Sequence, residues 1–85
     1  MKTFMYTIKD ELGIHARPAG ALAKEAAKYA SKIVLDKEGR QAEAKRLMSV
    51  MSLGVKNGQQ VTVSVEGPDE EEAAAAMQKF FEDNL

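Results

Sequence analysis

Polar and apolar positions alternate, then recur at helical spacing, then alternate again along the chain. Phe4, Tyr6 and Ile8 alternate with Thr3, Met5 and Thr7, and this period of two predicts a strand. Ala19, Leu22, Ala23, Ala26 and Ala30 recur at helical spacing, so residues 19–28 read as a helix with Lys24 and Lys28 on its wet side. Pro18 suits the first turn of that helix, where a backbone N–H would have no partner. Residues 32–36 predict a second strand. Glu38 and Gly39 predict a hairpin turn, with the glycine taking a positive φ. Residues 41–44 predict a short third strand with Ala42 and Ala44 facing inward.

Residues 47–53 predict a short helix, closed by Gly54 in the position glycine favours after a helix. Val50 and Leu53 can point inward together, which leaves Leu47, Met48 and Met51 on the other side. Such a helix is either buried all round or keeps an apolar patch outside, and the pattern alone allows both. After a turn at residues 56–58, Val61, Val63 and Val65 alternate with Gln60, Thr62, Ser64 and Glu66, the clearest strand of the chain. Asp69 reads as the N-cap of a last helix. Glu70, Glu71 and Glu72 lie where the helix dipole favours negative charge. Ala73, Ala76, Met77, Phe80 and Phe81 make its inner stripe.

The order is therefore strand, helix, two strands, helix, strand, helix. It predicts one α+β domain over residues 1–85, with helices covering one face of an antiparallel sheet. Composition narrows the function classes. Twelve basic and thirteen acidic residues give a net charge of −1, so no nucleic-acid-binding surface is announced. With no cysteine and one histidine, neither a disulfide nor an ordinary zinc site is expected, and no metal or cofactor is implied. The start of the chain lacks the long apolar stretch of a secretory leader, and no run approaches membrane-spanning length. A cytoplasmic protein without direct membrane insertion is expected.

The candidate chemistry lies in Gly13-Ile14-His15-Ala16-Arg17-Pro18, which contains the only histidine. His15 falls just outside or at the N-terminus of the first helix. Free N–H groups and the positive dipole end point toward it, and Arg17 adds a forked cationic donor. These groups favour an anion next to the imidazole. A neutral ring beside an anion site is a nucleophile placed to accept a phosphoryl group. The residues alone also allow a surface ring that caps a helix or packs in a loop, the commoner fate of a lone histidine, and the Gly-x-His-x-Arg-Pro context does not decide against it.

The segment around His15, the segment Met48-Ser49-Val50-Met51-Ser52-Leu53-Gly54 and the element order together resemble the HPr family, over nearly the whole chain. These are histidine-containing phosphocarriers of the bacterial phosphoenolpyruvate:sugar phosphotransferase system. The resemblance implies an open-faced β-sandwich, sheet order 1-4-2-3, with three helices on one face. It implies that enzyme I phosphorylates His15 at Nδ1, and that the phosphoryl group then passes to sugar-specific A-type enzyme II domains. It casts Arg17 as the residue that balances phosphate charge, and the backbone N–H groups of Ala16 and Arg17 as its holders. Leu47, Met48 and Met51 match the docking surface of the second helix, with Arg46 and Gly20 at its border. It further implies a carrier rather than an enzyme, acting as a monomer. The alternative it leaves is a regulatory member serving a nitrogen-related relay or transcriptional control. Many members carry a serine at position 46, which an ATP-dependent kinase phosphorylates in Gram-positive relatives. Here the residue is Arg46, so that regulation is not carried over. Gly20 stands where relatives have a bulkier helix residue.

Overall fold

A computed structural model describes all residues, Met1–Leu85. Its elements are β1 (Lys2–Thr7), α1 (Ala16–Ala26), β2 (Lys32–Lys37), β3 (Arg40–Glu43), α2 (Leu47–Ser52), β4 (Gln60–Glu66) and α3 (Glu70–Asn84). The four strands form one antiparallel sheet in the order β1-β4-β2-β3. The expected α+β open-faced sandwich with sheet order 1-4-2-3 is therefore the observed architecture.

Alternation along the strands sets the covered face. Val61, Val63 and Val65 of β4, Ile33 and Leu35 of β2, and Ala42 of β3 are all buried. They meet Ala19, Leu22 and Ala26 of α1, Val50 of α2, and Ala73, Met77 and Phe81 of α3 in one cluster of 19 buried residues. β1 is an edge strand, so Phe4 and Tyr6 are only half-buried. Both still meet the ring of Phe81 edge-on, at centroid distances of 5.9 Å and 5.5 Å. Such pairs add about 0.5–1.5 kcal/mol each beyond the area they bury.

Several local expectations change. α1 begins at Ala16 and ends at Ala26, so Ala30 lies beyond the helix and is exposed. On α3, Ala76 and Phe80 are half-buried flanks of the Ala73–Met77–Phe81 stripe. The β2–β3 hairpin has Lys37 opposite Arg40, and both residues between them have positive φ, 52° at Glu38 and 88° at Gly39. That is the primed turn matching the twist of paired strands.

Asp69 begins α3, but its side chain does not cap it. The carboxylate turns instead to the segment before β2. It accepts the N–H groups of Ala30 and Ser31, each at 2.9 Å, and the Ser31 hydroxyl. Ser31 is a fully buried polar residue, so its donors need an acceptor there. Satisfying them outweighs a cap bond at a helix end that water can reach.

Candidate functional site

The path from β1 to α1 is held at both ends and in the middle. Ile8 is buried. Its N–H donates to the Gln59 carbonyl at 2.9 Å, and its own carbonyl accepts the Gly58 N–H at 2.8 Å. Asp10 turns the chain: its carbonyl accepts the Gly13 N–H at 3.0 Å and its Oδ1 accepts the Leu12 N–H at 2.8 Å. The Asp10 N–H donates to the backbone oxygen of Leu85 at 2.9 Å. Gly13 has φ +70°, and a Cβ there would stand 2.3 Å from the Val55 carbonyl oxygen. Only glycine fits that close approach. The next residue, Ile14, donates its N–H to that same Val55 oxygen at 2.9 Å.

His15 follows as the N-cap of α1, with extended backbone (φ −97°, ψ −174°). Its carbonyl accepts the Ala19 N–H at 3.0 Å, the first bond of the helix. The N–H groups of Ala16 and Arg17 thus precede any intrahelical acceptor, and Pro18 has no N–H. Two donors and the positive end of α1 therefore follow His15 directly in the chain. The ring makes no cap hydrogen bond, and its side chain is 35% exposed. Arg17 is exposed and takes part in none of the ion pairs of the chain.

A concavity of about 270 Å³ adjoins this point, lined by Asp10, His15, Arg17, Pro18, Ala21, Asp83 and Asn84. Two carboxylates therefore share the hollow with His15 and Arg17, and the sequence pattern placed neither of them there. The nearer is Asp10, with Oδ1 3.8 Å from His15 Nε2. A larger, wholly polar hollow of about 450 Å³ lies elsewhere, lined by Asp36, Lys37 and Glu38 with residues 58–60 and Thr62. It contains no group of the histidine segment.

α2 packs against α1, the helix that His15 heads. Val50 and Leu53 are buried, whereas Leu47 is 38% and Met48 71% exposed. Met51 is half-buried against the core. The apolar residues of α2 thus split as the helical spacing suggests, with Met51 at the boundary. The helix is short, and its C-terminal carbonyls are held from the β2–β3 hairpin. Arg40 Nη2 donates to the Ser52 carbonyl at 2.8 Å, and Lys37 Nζ reaches those of Leu53 and Gly54 at 3.4 Å and 3.3 Å. Cations suit that end of a helix. Arg46 is the exposed N-cap of α2. It makes no side-chain cap bond, and its Nε lies 3.6 Å from Glu43 Oε2. Gly20, on α1, has open space where a Cβ would stand, so packing does not demand a glycine there. No group of three or more His, Cys, Asp or Glu side chains is arranged to hold a metal ion.

The family model for the PTS HPr component phosphorylation site matches residues 2–83. The chain belongs to the HPr family. It is 44% identical over 85 residues to phosphocarrier protein HPr of Mycoplasma genitalium, covering 99% of this chain and 97% of that one. It is 46% identical over 77 residues to HPr of Lysinibacillus sphaericus, covering 91% and 88%. The solved structure of an HPr from Thermoanaerobacter tengcongensis superposes with a TM-score of 0.93 at 42% identity, covering 98% and 93%. Membership makes the chain a phosphocarrier of the phosphotransferase system. Within this HPr fold, the residues missed from sequence are Asp10, Asp83, Lys37 and Arg40. The Asp10 turn had a local signal, an Asx-type side chain two residues before its N–H partner and three before a glycine. The other three depend on long-range packing.

Proposed function

We propose that this HPr-family chain accepts a phosphoryl group on Nδ1 of His15 from phosphorylated enzyme I. It then delivers that group to the A-type domains of sugar-specific enzymes II. The single observation that carries the reading is the place of His15 as N-cap of α1, beside the unbonded N–H groups of Ala16 and Arg17. Phosphoryl transfer asks a protein mainly for positioning and charge stabilisation. The two N–H groups offer donors to the phosphoryl oxygens, and the Arg17 guanidinium, free of other ion pairs, offers a planar fork.

In this reading the Nδ1 lone pair attacks phosphorus. The bond to the donor breaks, and its electron pair leaves with the donor. Delivery to the next protein reverses the same geometry. The chain is then a reactant rather than a catalyst, working in the cytoplasm as a monomer between two partners. Leu47, Met48 and Met51 form the docking patch, with Arg46 and Gly20 at its border. Exposure of Met48, in contrast to buried Val50, supports a surface kept for partners.

The test is incubation with enzyme I and phosphoenolpyruvate. One acid-labile phosphate is expected per chain, with none on His15→Ala. Arg17→Ala is expected to slow transfer with little change in Tm, and Arg17→Lys to recover part of the rate. Normal labelling of His15→Ala would refute the reading.

A further inference from the structure

We propose that Asp10 is the positioning residue of the His15 imidazole. Its carboxylate holds the Nε2–H side of the ring, presents Nδ1 to phosphorus and balances the charge of the phosphorylated ring. This inference rests on the phosphocarrier reading above and assigns a role to a residue outside the histidine motif.

Asp10 Oδ1 is 3.8 Å from His15 Nε2, too long for a hydrogen bond but close enough for an ion pair with a protonated ring. Both side chains are shielded in part, being 27% exposed at Asp10 and 35% at His15. Asp10 is held at three points, two on its backbone and one on its carboxylate. The residue 10 N–H is bonded to Leu85, its carbonyl to Gly13 and its Oδ1 to the Leu12 N–H. The imidazole has no such tie. A charge-assisted bond of about 2.8 Å would need an approach of about 1 Å, for which the ring is freer than Asp10.

Charge decides what that contact does. A neutral imidazole carries one proton, on Nδ1 or on Nε2. A carboxylate facing Nε2 favours the Nε2–H tautomer and leaves the Nδ1 lone pair free. When Nδ1 bonds to phosphorus, the Nε2 proton stays in place. The ring thereby becomes an imidazolium attached to an anionic phosphoryl group. The donor keeps the electron pair of the bond that breaks, so no further acid or base is needed. Asp10 then faces a full positive charge, and its attraction for the ring rises on phosphorylation. The other charged groups around the ring are Arg17 on α1 and Asp83 near the end of α3. Asp83 forms no ion pair with the ring, and the control is Glu11, an exposed carboxylate of the same loop that lies outside the hollow.

An aspartate needed only for its turn could be replaced by asparagine, which keeps the acceptor for the Leu12 N–H. Asp10→Asn therefore separates charge from structure. Each protein is equilibrated with enzyme I at a fixed ratio of phosphoenolpyruvate to pyruvate. Asp10→Asn is expected to lower the ratio of phosphorylated to free chain by about 3- to 5-fold, the range of a partly screened ion pair. Asp10→Glu should recover part of the loss, and Glu11→Gln should change little. Nitrogen-15 spectra of the unphosphorylated ring, under mildly alkaline conditions, should show Nε2–H dominant in the native protein and more Nδ1–H in Asp10→Asn. An unchanged ratio together with an unchanged tautomer balance in Asp10→Asn would overturn the proposal. Failure of every variant and the native chain to accept phosphate would instead overturn the phosphocarrier reading. The tautomer spectra would still decide the role of Asp10.

Discussion

Asp69 and Ser31, 38 residues apart, are joined by two hydrogen bonds to the carboxylate of Asp69, one from the Ser31 amide and one from its hydroxyl. The Ser31 hydroxyl, followed by the Ala30 N–H, holds the Asp69 carboxyl below its ordinary pKa of 3.8. The fold therefore favours the ionised form, and the resulting stability is complete above the unfolded-state value. It is lost as pH falls through the folded value. Glu70 adds to the same trend, since the N-terminal ammonium and then the Gly67 N–H lower its pKa. Tm is expected to fall as pH drops through the carboxylate range. Asp69→Asn should have a lower Tm at neutral pH and a flatter acid limb. Parallel limbs in a pH series of thermal melts would contradict this.

Gly13 cannot be enlarged without moving backbone. Its φ is +70°, and an added Cβ would meet the Val55 oxygen at 2.3 Å and the Lys56 Cα at 2.7 Å. The left-handed conformation alone costs a side-chain-bearing residue about 1–2 kcal/mol. With the overlap included, Gly13→Ala should lose about 2–4 kcal/mol in denaturant unfolding. Phosphotransfer should slow as well, because His15 hangs from this segment.

Val50 and Met48, two residues apart on α2, should respond in opposite ways. Val50 is fully buried and Met48 is 71% exposed. Val50→Ala should cost about 2 kcal/mol through lost burial and the cavity left behind. Met48→Asp should stay within about 0.5 kcal/mol of the native stability, yet raise the KM of enzyme I for the chain more than it changes kcat. Thermal melts and transfer kinetics on the two variants check both halves.

Arg46 places a cation at the positive end of α2 and makes no cap bond. Arg46→Ser would supply a side-chain acceptor, so a gain of about 1 kcal/mol in stability is expected. The same change should weaken enzyme I association at low salt, with the difference closing at high salt, if Arg46 meets an acidic group on its partner. Stopped-flow association rates across ionic strengths read this directly.

Much of the fold is legible in single residues, because burial follows the period of each element. Val61, Val63 and Val65 alternate, and each is buried; Val50 and Leu53 share a helical face, and both are buried. Gly13 and Gly54 announce positive φ at the positions where they stand. The candidate site is legible in its donors, since His15, Arg17 and Pro18 are neighbours in sequence. Its carboxylates are not. Asp83 joins it from the far end of the chain, and Asp10 joins it only because an Asx-type turn folds five residues back. Asp69 carries the same lesson: its local environment says helix cap, while a buried hydroxyl 38 residues earlier takes the carboxylate. Local rules lose where a distant group would otherwise be buried without a partner.

The strand order β1-β4-β2-β3 has a consequence for the time at which the chain becomes competent. Of the four strands β1 is made first, but its sole neighbour is β4, with Lys2 opposite Val65 and Thr7 opposite Gln60. Closing so long a loop is slow compared with forming the local β2–β3 hairpin. During synthesis, β1 must wait until β4 has emerged. The histidine appears even earlier relative to what shapes it. Position 15 is translated well before Val55, which anchors its loop, and before Leu85, which receives the Asp10 N–H. A nascent chain that has not yet presented Val55 and Leu85 lacks two partners of the His15 segment, so phosphate acceptance should rise only once both have emerged.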